Sequence, residues 1–189
     1  MARRSSLPAL LALVIALGGC SPRATTFVHP DVDFSRIQRC AILPFQNLST
    51  DRSAGARVES LFLTELLHAG RGLAVVEPGE TMAALRELRL DPTAPLSPAQ
   101  TVELGKRLGA EGIFTGTVMD CGPESLGRNR VYVVTAEFGL LETETGSVVW
   151  KSEVHGSGSS VWRKLFGGDS ASLYAVSRDV VRKALESLF

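Results

Sequence analysis

Cys20 is the residue whose surroundings specify a reaction. It follows Leu17, Gly18 and Gly19, and Leu17-Gly18-Gly19-Cys20 has the form of a lipobox. In that motif the thiol takes a diacylglycerol and the chain is cut just before the cysteine. Arg3 and Arg4 followed by an apolar run over 7–17 supply the charged and hydrophobic regions of a secretory leader. The run is too short to span a bilayer. An ordinary leader ends in a small-x-small site and needs no cysteine, so the sequence predicts a lipid at Cys20. One acyl chain holds a membrane marginally, whereas two or more anchor stably.

The remaining reactive side chains do not form a catalytic set. His29, His68 and His155 lie in a linker, a helix and a strand, without His-x-x-x-His or Cys-x-x-Cys spacing. The 156–160 stretch, Gly-Ser-Gly-Ser-Ser, has neither a nucleophile elbow nor a P-loop lysine. No cofactor, metal or enzymatic activity is expected. The 189-residue chain has 20 basic and 20 acidic residues, and loss of Arg3 and Arg4 with the leader makes the mature protein slightly acidic. That balance argues against a nucleic-acid partner.

The elements that would carry these residues follow from pattern. Residues 1–19 are the leader and 20–36, with prolines and no sustained period, read as the lipidated cysteine and a short tether. Such a tether extends to at most about 55 Å and averages about 20–25 Å as a coil. From 37 to 189 one domain is expected. A buried strand over 37–45 carries Cys40-Ala41-Ile42-Leu43 and is limited by Pro44. Asn47, Ser49, Thr50 and Asp51 precede a helix to about Ala69, with Val58, Leu61, Phe62, Glu65 and Leu66 on one face. A short strand over 73–76 and a helix over 81–90 follow. Ser97 and Pro98 cap a helix that ends at Gly109.

A strand over 112–119 and a hairpin over 130–140 and 147–155 come next, with Tyr132, Val134, Ala136, Phe138 and Leu140 on one face of the first arm. Asp169 or Ser170 caps a final helix to about Leu188. The order β-α-β-α-α-β-β-β-α predicts an α/β fold: a single mixed sheet flanked by helices, with a C-terminal helix. Right-handed crossovers make the strands of Cys40 and Cys121 parallel, which sets the two thiols toward opposite ends and disfavours a disulfide.

Three segments carry a family resemblance: Ala41-Ile42-Leu43-Pro44-Phe45-Gln46-Asn47-Leu48, the run from Leu108 to Val118, and Thr145-Gly146-Ser147-Val148-Val149-Trp150. They resemble the envelope lipoproteins that include the curli secretion channel (CsgG), the activator of penicillin-binding proteins (LpoB) and the Pel polysaccharide export lipoprotein (PelC). The likeness covers about 34–188. It implies a fold more strongly than an activity, because the matching residues are mostly strands and turns. The 120–129 connection leaves no room for the channel's long membrane-spanning hairpins, and the tether is shorter than the activator's.

The compact export type, which forms a ring, fits best. The resemblance therefore implies a non-enzymatic, oligomeric lipoprotein on the periplasmic face of the outer membrane, serving an export assembly such as polysaccharide export. The alternative is a regulator that activates a penicillin-binding protein in peptidoglycan synthesis. Ser21, rather than aspartate, after the cysteine resembles the pattern of lipoproteins released to the outer membrane.

The second candidate contact is the glycine-flanked segment with Trp162, Arg163, Lys164, Leu165 and Phe166. Aromatics interleaved with cations suit a headgroup region or a subunit interface, and the same rings could instead fold back on the core. The resemblance implies a membrane-touching tryptophan in this region. Arg128-Asn129-Arg130 reads as a solvated hairpin tip, while Asp120, Glu124, Glu142 and Glu144 could line a ring opening or simply be solvated.

Overall fold

The computed structural model describes residues 24–69, 72–126, 129–159 and 171–189. Strands are β1 (Ala24–Val28), β2 (Arg39–Ile42), β3 (Gln46–Asn47), β4 (Ala74–Val75), β5 (Gly112–Leu126), β6 (Asn129–Glu142) and β7 (Val148–Ser157). Helices are α1 (Ala54–His68), α2 (Pro78–Glu87), α3 (Pro98–Leu108) and α4 (Leu173–Glu186). The strands form one seven-stranded sheet in the order β1-β7-β6-β5-β2-β4, with β3 also on β5. β2 runs parallel to β4 and β5, β3 runs parallel to β5, and the pairs β1–β7, β7–β6 and β6–β5 are antiparallel. This is the α/β mixed sheet expected from the order of elements, with β1 and β3 added.

Helices cover the sheet unequally. On one face Val58, Leu61, Phe62 and Leu66 of α1, with Val176, Val180, Val181 and Ala184 of α4, pack against Phe114, Val134, Phe138, Leu140 and Trp150. On the other, Ala84 and Leu85 of α2 and Leu104 and Leu108 of α3 cover Ala41, Leu43 and Ile113. The second face of β7 stays wet, and Lys151 pairs there with Glu137 of β6 at 2.9 Å, whereas Val131 and Val133 on the same face of β6 are buried. That arrangement explains why 40–43 is continuously apolar while β7 alternates: only the former is covered on both sides.

Local chemistry sets most boundaries. Ser97 Oγ accepts from the Gln100 N–H at 3.3 Å and Gln100 Oε1 accepts from the Ser97 N–H at 2.8 Å, a reciprocal capping box at α3. Gly109 ends α3 at φ +59, a conformation that glycine adopts without penalty. Asn47, Ser49 and Asp51 do not cap α1. They brace the loop before it, through Asn47 Nδ2 donating to the Asp51 carbonyl at 2.8 Å and the Ser53 N–H donating to Asp51 Oδ1 at 2.9 Å. α2 starts at Pro78, earlier than the periodicity suggests, because proline is well suited to a first helical turn.

Two departures matter for function. The stretch read as a tether contains β1, whose five residues are exposed and whose ladder comes entirely from β7, Ala24 opposite Val154 through Val28 opposite Trp150. β5 runs to Leu126, and with β6 it forms a hairpin with Leu126 opposite Asn129, so the 120–129 connection is mostly strand. The cysteine geometry also follows from register. Cys40 pairs with Gly112 on the parallel neighbour, and Cys121 lies nine residues further along β5, about 30 Å away at strand rise.

Candidate functional site

One end of the sheet gathers the features singled out in the sequence. Asn47, Val118, Ala136, Val154 and Ala24 form a row across β3, β5, β6, β7 and β1. β1 begins at this row, so its N-terminal end faces the side to which the β5–β6 hairpin points. β7 ends just beyond it at Ser157. The Gly158 N–H donates to the Tyr132 carbonyl at 2.8 Å, and the Ala171 N–H donates to the Gly158 carbonyl at 3.1 Å. Ser159 and Ala171, the described flanks of the Trp162 segment, therefore leave and re-enter the fold at the same end.

Cys20 and the residues Trp162, Arg163, Lys164, Leu165 and Phe166 lie outside the described residues, as does Arg128. Arg130 is exposed on the hairpin. Tyr132, expected on the core face, is 38 % exposed, whereas Val134, Ala136, Phe138 and Leu140 are buried. The four carboxylates are not brought together. Asp120 and Glu124 sit toward the hairpin tip, while Glu142 lies opposite Gly112 at the other end and Glu144 pairs there with Arg36 at 2.9 Å.

The reactive groups are dispersed or sealed. Cys40 and Cys121 are fully buried, and burial pushes the Cys40 thiol up to about 12. Burial also raises the Cys121 thiol, against the pull of Arg57, whose Nη2 donates to its sulfur at 3.4 Å. Both are thus poor nucleophiles. His155 Nδ1 shares a 2.9 Å hydrogen bond with Thr135 Oγ1 on the wet face. Among the described residues no group of three or more His, Cys, Asp or Glu side chains could hold a metal ion, and no helix is long and apolar enough to cross a membrane.

Two polar constructions were not foreseen from sequence. Glu65 is 7 % exposed, and its carboxylate accepts from Arg178 Nε at 2.6 Å and forms an ion pair with Arg182 Nε at 3.3 Å, tying α1 to α4. The signal available was a lone glutamate in the apolar stripe of α1 together with arginines four residues apart on α4. Asp51 pairs with Arg57, and that hydrogen bond with the Ser53 N–H holds its carboxyl below the usual range. Both constructions brace helices, and Glu65 and Arg182 also line a surface cavity with His68 and Leu185.

Glu59 behaves oppositely. Its half-buried carboxylate accepts the Phe45 N–H at 3.2 Å, yet desolvation outweighs that bond and raises its pKa. A raised carboxyl disfavours the folded state once ionised, so this penalty is present at neutral pH and disappears as pH falls below the carboxylate range. Glu59→Gln keeps an acceptor for Phe45 and removes the charge. It should raise the denaturation midpoint at pH 7–8 relative to the parent, with the difference shrinking toward pH 4; a gain independent of pH would contradict the assignment.

No protein-family model matches the chain, and no match was found among curated protein sequences. Solved structures do match. A PelC dodecamer from Paraburkholderia phytofirmans aligns over 89 % of this chain and 97 % of its own, at 20 % identity and TM-score 0.61. The chain has the PelC fold. The lipoprotein GNA1162 from Neisseria meningitidis aligns over 78 % of this chain and 97 % of its own, at 16 % identity and TM-score 0.56. The LpoB C-terminal domain from Salmonella enterica covers 78 % and 92 % at 12 % identity, with a TM-score of 0.47, too low to argue from. With the PelC-like sheet as the reference, the sequence resemblance and the fold agree on the compact layout.

Proposed function

We propose that this protein is a non-enzymatic lipoprotein, held by an acylated Cys20 on the periplasmic face of the outer membrane, which assembles head-to-tail into a ring serving export of a polymer. The observation that carries this reading is the near-absence of slack between the lipobox and the sheet: β1 starts at Ala24, four residues after Cys20. A domain so attached works against its membrane rather than reaching across the periplasm. The fold shared with a PelC that forms a dodecamer supports a ring. So does the sheet itself, since β1 is an edge strand without charge, proline or cover on its outer side among the described residues. Such an edge invites a neighbour. A heterologous contact closes into a ring where its rotation permits. Trp162 and Phe166 are proposed to touch the same membrane, or the next subunit, from the end at which Ser159 and Ala171 lie.

Light scattering of the soluble domain from residue 21 onward tests the assembly. A large, discrete oligomer is expected. A strict monomer at high concentration would overturn the ring and turn attention to a penicillin-binding protein as the partner.

A further inference from the structure

We infer that the β5–β6 hairpin is itself a membrane contact, reached with the strands upright on the lipid surface because it extends farther than the tether can. The inference rests on lipidation at Cys20, and the rest is register. From the row that holds Ala24, β6 continues from Ala136 back to Asn129, seven residues and about 23 Å at strand rise. From Ala24 the chain has four residue steps to Cys20, at most about 14 Å when fully extended. The hairpin therefore overshoots the anchor by about 10 Å. With the strands upright on the membrane, its end lies that far past the Cα of Cys20. That depth matches the 5–10 Å to which interfacial elements bury. The short tether keeps the domain against the membrane, and the upright orientation is the one that sets the hairpin end and both tyrosines at the headgroup layer.

The side chains at this end suit a headgroup layer. The chain has two tyrosines, and both are here and exposed: Tyr132 on β6 at 38 %, about 13 Å past the row, and Tyr174 in the first turn of α4 at 57 %. Tyrosine is enriched where one end of a ring can be apolar and the other wet. α4 is joined to the hairpin by the bonds from Ala171 to Gly158 and from Gly158 to Tyr132. Pro123, Glu124, Ser125 and Arg130 are exposed around them, polar groups that headgroups can solvate. The occupant argued for is a phospholipid surface, because the direction and length of the anchored chain bring one to this end.

The test uses the full lipidated protein in vesicles of phosphatidylethanolamine and phosphatidylglycerol, with an environment-sensitive dye on Ser125→Cys. Cys20 would be acylated and Cys40 and Cys121 are fully buried, so the new thiol is the accessible one. Ser147→Cys, in the turn at the opposite end, is the reference. The Ser125 dye should shift to the blue and be quenched by an aqueous reagent roughly ten-fold more slowly than the Ser147 dye, as for a group held at headgroup depth. Glu124→Cys gives a second site should Ser125→Cys fold poorly. Protein that floats with the vesicles while the Ser125 dye is quenched as fast as the reference would overturn the inference. So would protection already present before vesicles are added, which would place a second copy of the chain there. Protein that does not float at all would overturn the lipid anchor, a result distinct from either.

Discussion

Phe62→Ala should lower the unfolding free energy by about 3–5 kcal/mol, the range for deleting a buried ring and leaving its cavity. Phe62 has no exposed surface, and it is where the elements of the first face meet. Its ring is edge-on to Phe45 at 5.5 Å and to Phe114 at 5.1 Å, and stacked on Phe138 at 5.4 Å. Those partners lie between β2 and β3, on β5 and on β6, so one side chain links α1 to three parts of the sheet. Aromatic pairs of this geometry add to the area term. Since domains of this size hold only about 5–15 kcal/mol in all, the variant should sit near the edge of folding. Urea denaturation should show a lower midpoint with an unchanged slope. Phe62→Leu, which keeps much of the volume, should lose distinctly less. A loss under about 1 kcal/mol for the alanine variant would mean that the four-ring cluster is not the centre of the core.

Cys20→Ser should move the protein almost entirely from the membrane fraction to the soluble fraction. A diacylglycerol brings two acyl chains, each contributing about 0.8 kcal/mol per buried CH₂, and both are attached through the one sulfur that the substitution removes. What remains is weak contact by the hairpin end and, if the proposal for Trp162 and Phe166 holds, by that segment. Vesicle flotation of Cys20→Ser should therefore be slight and should fall further when both aromatic residues become serine. Flotation equal to the parent would assign the anchor elsewhere, and no change on aromatic replacement would take the 161–166 segment away from the membrane.

How much of this was legible before folding varies with the range of the interaction. The cap at Ser97 and Pro98, the helix end at Gly109 and the stripe on α1 are written within a few neighbouring residues and were read there, while the reciprocal bond from Gln100 came from the structure. β1 was not. Thr25, Thr26, Phe27 and Val28 are all exposed, and they become a strand because β7 offers a ladder more than a hundred residues later. The hairpin beyond Met119 was missed for a related reason. Pro123, Glu124 and Ser125 have weak strand preference, and pairing with Arg130, Val131 and Tyr132 supplies what preference does not.

The sequence alone carried the parallel setting of Cys40 and Cys121, the helices and the mixed α/β plan, because periodicity and capping are local, and the lipobox reading of Cys20 rests on the sequence entirely. Only the tertiary structure decided that Glu142 and Glu144 part from Asp120 and Glu124, that Glu65 is held by two arginines, and that the start of β1, the hairpin, both tyrosines and the flanks of the Trp162 segment share one end. Those facts depend on which strands pair and in what register, and register is set by burial across the whole sheet rather than by any one stretch of chain.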